Sequence, residues 1–140
     1  MKIKIFIFIF GMLIPLLSKS QKPAVYIYHF YSFERCPADL RIEELTNHML
    51  DSVFLNEVTS RKIIRKSLNF NLRKNVKLAK RLNVTTIAMV INVVDDSGKQ
   101  TIIDLTDWAF AKVWDDAVFK AELQLKIKDA LSKIIKKSSD

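Results

Sequence analysis

Phe33 to Leu45 reads FERCPADLRIEEL: a cysteine, a proline directly behind it, an aspartate three residues on, and then a run with helical spacing. Cys36 is the single cysteine among 140 residues. A proline at the first helical position loses nothing, because its missing N–H would have had no intrahelical partner, so Cys36 falls at the N-cap or beside it. From Pro37 to about Phe54 the positions Ile42, Leu45, Met49, Ser52 and Val53 follow one helical stripe. Upstream, AVYIYHFY from Ala24 to Tyr31 is aromatic and β-branched, as a strand covered on both faces tends to be. A buried strand runs straight into a helix that carries the thiol at its mouth.

Downstream, Arg61 to Asn69 holds Ile63, Ile64 and Leu68 and predicts a second strand. Leu72, Val76, Ala79 and Leu82 mark a short amphipathic helix. Thr85 to Val94, TTIAMVINVV, is the most strand-like run, and Asp95-Asp96-Ser97-Gly98 is turn chemistry that returns the chain through Gln100 to Leu105 as a hairpin partner. Thr106 or Asp107 is placed to cap a short helix ending at Lys112, and Asp115 or Asp116 to cap the last one. That last helix lines up Phe119, Leu123, Ile127, Ala130, Leu131 and Ile134, with Lys133, Lys136 and Lys137 where the helix dipole favours cations. The expected order is β-α-β-α-β-β-α: an α/β fold with a mixed central sheet flanked by helices, its closing hairpin antiparallel. A helix entering straight after the first strand of such a sheet is the thioredoxin-like arrangement, with a generic α/β sandwich of other connectivity as the alternative.

The first twenty residues, MKIKIFIFIFGMLIPLLSKS, have lysines at 2 and 4, an apolar run and small residues at Ser18 and Ser20. This is the layout of a secretory signal peptide, with cleavage expected between Ser20 and Gln21. The apolar run of roughly 13 residues is short of the ~20 that span a bilayer, so an uncleaved anchor is the lesser reading and no stable span is expected after cleavage. The remaining residues, 21–140, are enough for one domain with a real core and not for two. Losing Lys2, Lys4 and Lys19 lowers the formal charge of +8 by three. A lone cysteine in an exported chain, periplasmic or extracellular, makes no internal disulfide and is left as a free or intermolecular thiol.

At a helix start, a thiolate faces unpaired N–H groups and the positive end of the dipole, and Arg35 adds a cation, effects that favour ionisation of Cys36. A dithiol enzyme needs a second thiol about three residues on, on the same helix face. That position is Asp39. A carboxylate there has two readings: an N3 acid that reaches back to the N-cap backbone, contributing about 0.3–1 kcal/mol, or a proton acceptor for Cys36.

FYSFERCPADLRIEELT, Phe30 to Thr46, resembles the start of exported thioredoxin-like proteins of the nitrophenyl-compound nitroreductase subunit ArsF family, which show a strand ending in Tyr-Phe, a basic pair, C-x-x-C and an acidic helix. IIDLTDWAFAKVW and the following AVFKAELQLKIKDALSKI are similar to that family's closing segment. The resemblance spans Val25 to Ile135 and implies a thioredoxin-like fold with a redox site in which Cys36 matches the first motif cysteine and Asp39 the second. In thioredoxins a cis-proline opens the third strand beside the site; here Ala88 matches it, and a trans peptide is expected because non-proline cis bonds cost about 2.5–4 kcal/mol. The motif is degenerate at both positions.

His29 and His48 are expected as core or half-buried imidazoles rather than metal ligands, since no cluster has zinc spacing. With Gly11 and Gly98 the only glycines, there is no phosphate loop or dinucleotide fingerprint, and no cofactor is expected. Arg61 to Arg81 holds nine basic residues and no acidic one; a solvated face is the plain reading, an anionic envelope surface or acidic partner the sharper one, and nucleic acid is not expected of an exported chain. Trp108 and Trp114 either pack the core or cover the cysteine loop. The expected function is an exported thioredoxin-fold accessory or binding protein that contacts an envelope protein through Phe33, Arg35, Cys36, Pro37 and Ala88. The alternative is a monothiol redox protein forming mixed disulfides through Cys36 with a thiol partner.

Overall fold

The computed structural model describes residues 22–135, so the expected leader, its cleavage site, and Lys136 and Lys137 lie outside the described residues. The elements run β1 (Ala24–Tyr31), α1 (Pro37–Ser52), α2 (Leu55–Thr59), β2 (Ile63–Asn69), α3 (Arg73–Arg81), β3 (Ala88–Val94), β4 (Gln100–Asp104), α4 (Thr106–Lys112) and α5 (Asp116–Ile135). The four strands form one mixed sheet in the order β2-β1-β3-β4. β1 lies parallel to β2, with Val25 opposite Ile63 and Tyr31 opposite Asn69. β3 lies antiparallel to β1, with Ala24 opposite Val94 and Phe30 opposite Ala88, and β4 closes the antiparallel hairpin. The fold is α/β, a mixed sheet with helices on both faces.

Alternation along β1 and β3 divides the core. Val25 and Ile27 of β1, with Met89, Ile91 and Val93 of β3, meet Ile42, Leu45, Met49 and Leu50 of α1, Ala109 of α4 and Phe119, Leu123, Ile127 and Ala130 of α5. Tyr28, Phe30, Ala88 and Val90 point the other way, against Ala79, Leu82 and Val84 at α3. Both central strands are therefore covered twice, which is why their sequences are apolar without alternation. α3 ends in a Schellman motif: Asn83, at φ +58°, sends its N–H to Lys80 O at 3.1 Å, and Val84 sends its own to Ala79 O at 2.8 Å. In the β3–β4 turn Asp95 accepts the Ser97 and Lys99 N–H groups at 2.9 and 3.0 Å, and Gly98 takes φ +80°.

Several sequence expectations change in the fold. The α1 stripe turns toward Thr46 and Leu50 rather than Ser52 and Val53, which are exposed, because the helix stops at Ser52 and Phe54 is the residue that plugs back into the core. α2 has only five residues, too few to leave a periodic signal. Leu105, not Thr106, precedes α4, and Asp104 accepts both the Thr106 N–H and its hydroxyl. Asp115 caps α5 as expected, receiving the Val118 N–H at 3.1 Å. Trp108 packs against Phe119, ring centroids 4.9 Å apart, whereas Trp114 is 69% exposed. On α3, Ala79 is buried, while Leu72 and Val76 lie at the surface.

Candidate functional site

The loop from Ser32 to Cys36 leaves the C-terminal end of β1 and enters α1. Phe33 is 71% exposed, its N–H donating to Asn71 Oδ1 at 3.3 Å. Cys36 is the N-cap residue in extended conformation, and Pro37 occupies the first helical position. Both are exposed; the cysteine carbonyl accepts the Leu40 N–H at 3.1 Å and its thiol is free. The sequence thus located the thiol correctly at the helix start.

Asp39 is another matter. It is fully buried, with Oδ1 2.6 Å from His29 Nε2 and Oδ2 accepting the Arg35 Nε–H at 2.6 Å. Neither reading made from the sequence describes it: both oxygens are engaged with side chains, leaving neither a backbone cap nor a base for the exposed thiol. Arg35 is likewise committed within this cluster. Its guanidinium lies 4.5 Å from the Tyr31 ring centre and donates through Nη1 to Glu43 Oε2 at 2.6 Å. Glu43 Oε1 accepts from the Ser67 hydroxyl and stands 3.7 Å from His29 Nδ1. The result is a connected ionic network, His29–Asp39–Arg35–Glu43–Ser67, tying β1, the loop, α1 and β2 together.

Its geometry follows from simple periodicities. Arg35, Asp39 and Glu43 are spaced by four, which stacks them on one side of α1 and the residue preceding it. Strand alternation puts His29 on the same sheet face as Val25 and Ile27, beneath that side. Register then sets Ser67 opposite His29. Burial alone would disfavour the Arg35 cation, but its hydrogen bonds to Asp39 and Glu43 outweigh this and hold its pKa above the ordinary value. For Glu43, burial opposes ionisation, yet the Ser67 hydroxyl, Arg35 and His29 bring the carboxyl below its ordinary value.

The remaining expected residues separate from this cluster. Ala88 is buried and turned to the α3 side, packed with Tyr28 and Phe30, so it is not part of a surface with Phe33 and Cys36. Among the described residues there is no cis peptide bond. His29 is buried as expected, but His48 is exposed, because it projects from the outer side of α1. All nine cations from Arg61 to Arg81 are exposed, and Arg65 pairs with Asp51 at 2.9 Å. Sequence reasoning does not single out Glu43 or Ser67: the four-residue spacing of Arg35, Asp39 and Glu43 is the trace of the first, and Ser67 joins only through the β1–β2 register.

Among the described residues no helix is long and apolar enough to cross a membrane, and no group of three or more histidine, cysteine or acidic side chains is arranged for a metal ion. No family model matches the chain, and no curated protein or solved structure shows significant similarity to it.

Proposed function

We propose that this chain is an exported, thioredoxin-like accessory or binding protein without dithiol chemistry, which meets an envelope partner through the exposed rim of Phe33, Cys36 and Pro37. The observation that carries the reading is Asp39: at the spacing where a resolving thiol would stand, the chain holds a buried carboxylate committed to His29 and Arg35. Support for the thioredoxin-like assignment comes from the strand order β2-β1-β3-β4 with one parallel and two antiparallel pairings, and from a cysteine at the N-cap of the helix that follows the first strand. The likeness of Phe30 to Thr46 to the ArsF family motif agrees with it. Export rests on the leader-like first twenty residues.

Thiol exchange is completed when a second thiolate attacks the mixed disulfide, and this chain has no second thiol to do so. Purified protein is therefore expected to leave dithiothreitol-driven insulin reduction at the rate of the reductant alone. Catalysed turnover above that rate refutes the proposal. The exposure of Cys36 favours the second reading, a monothiol protein whose mixed disulfides are resolved by an outside thiol. Covalent partners captured from envelope extracts by the wild-type chain, and lost in Cys36→Ser, would favour that reading over purely non-covalent contact.

A further inference from the structure

A cleft of about 390 Å³ opens between α1 and β2, away from Cys36, with His29, Glu43, Thr46, Asp51, Arg65 and Ser67 in its lining. Two side-chain bridges join its walls: Glu43 to Ser67, and Asp51 to Arg65 at 2.9 Å. The walls differ in charge, since α1 brings the Glu43 and Asp51 carboxylates with Asn47, and β2 brings two cations, Arg65 and Lys66. Two side chains of the lining hold buried polar atoms with no hydrogen-bond partner, His29 Nδ1 and Thr46 Oγ1, and each residue is only 7% exposed. Buried polar atoms left unpartnered are rare and costly, so two in the lining of one cleft point to a group that satisfies them. In the network behind them two carboxylates, Asp39 and Glu43, share the Arg35 cation.

We propose that the cleft binds a small zwitterion, its ammonium group held by Glu43, Thr46 and His29 and its carboxylate by Arg65. An ammonium has three donors and no acceptor, which matches a carboxylate oxygen, a hydroxyl oxygen and a ring nitrogen. The ammonium selects the His29 tautomer whose Nε2–H donates to Asp39, since that ring offers Nδ1 as an acceptor. Binding exchanges the Ser67 hydroxyl on Glu43 for the ammonium, and the Asp51 carboxylate on Arg65 for that of the ligand. Arg65 and Asp51 side chains are 40% and 54% exposed, and exposed pairs of this kind contribute little and open readily. The volume lies in the range of small-molecule sites, about 300–1,000 Å³. Arg65 and Ser67 are two residues apart on β2, about 7 Å, so a linear ω-amino acid spans the cleft better than glycine does.

The proposal is tested by titrating the protein with glycine, 4-aminobutanoate and 6-aminohexanoate, with butylamine and butyrate as single-charge controls, while following the Thr46 and Ser67 amides and the His29 ring by NMR. Saturable shifts with 4-aminobutanoate near the millimolar range, and binding at least about tenfold weaker for both controls, are expected. Arg65→Met is expected to weaken 4-aminobutanoate about tenfold and leave butylamine unchanged. Glu43→Gln should abolish both, and if that variant does not fold, Arg65→Met alone carries the result. Absence of saturable shifts with all three amino acids, butylamine binding as tightly as the zwitterions, or binding indifferent to Arg65→Met overturns the proposal. Cys36→Ser leaves the cleft intact, so the outcome is independent of the reading placed on the thiol.

Discussion

His29 and Phe30 are neighbours in the chain and both are buried, yet strand alternation sends them into opposite surroundings. On the α3 side, Phe30 continues a stack with Tyr28 and Tyr26, ring centroids 5.9 and 5.8 Å apart. On the α1 side, His29 interrupts an apolar row and enters an ionic network with Asp39, Arg35 and Glu43. The aromatic side gains from area removed from water and tolerates rings of similar volume. The ionic side gains only while every partner is present, because the charge of Asp39 has been taken entirely out of water. One side is a source of stability; the other specifies how the loop, α1 and β2 are set against β1.

The comparison breaks most sharply in paired substitutions. Phe30→Ala and Asp39→Ala are each expected to cost about 3–5 kcal/mol in urea unfolding, the first through a cavity and the second through stranded partner charge. They differ in rescue: adding Arg35→Met to Asp39→Ala should recover part of the loss, whereas no polar change recovers Phe30→Ala. Equal losses in the single and double variants at Asp39 would show that the network is not coupled. For Asp39 this expectation is several times the helix-end value read from the sequence, because the carboxylate sits inside the network and not at the helix rim.

Acid separates the two sides next. Since the folded Glu43 carboxyl lies below its ordinary value, the unfolded chain takes up that proton first as pH falls. The contribution of Glu43 is therefore complete above the unfolded carboxyl range near about 4.3 and is lost as pH drops through the folded value. Melting temperature followed against pH should fall over this window in the wild type and more shallowly in Glu43→Gln. Phe30→Leu should keep the wild-type slope. The smallest effect is at the thiol: Cys36→Ser should change stability by no more than about 0.5 kcal/mol. In the native wild type, an alkylating reagent should consume Cys36 as fast as in denaturant.

How far the sequence revealed this arrangement depends on the range of the interaction. Ala24 to Tyr31 is legible as a doubly covered strand because each residue type reports its own burial, and the α5 stripe from Phe119 to Ile134 is legible because it repeats within one helix. Arg35, Asp39 and Glu43 look like an ordinary solvated i, i+4 series. What buries Asp39 is the docking of α1 over His29, a contact across the loop that no local pattern encodes. Ala88 shows the same limit: the sequence places it at the start of β3, but which sheet face it takes depends on pairing with Phe30. The five residues of α2 fall below any useful period.

The position of β1 at the centre of the sheet has a consequence for synthesis. It precedes every other described element along the chain, yet its two neighbours come from Ile63–Asn69 and Ala88–Val94. At about 5–20 residues per second, this aromatic strand emerges several seconds before the second of these partners exists. Until Asn69 has been made neither of its hydrogen-bonding edges can be completed from within the chain, and the edge facing β3 stays open until Val94, with its aromatic residues available to whatever holds nascent polypeptides. Non-local pairing of this kind slows folding, so the order of the elements along the chain keeps the young polypeptide unfolded until nearly the whole sheet has been translated.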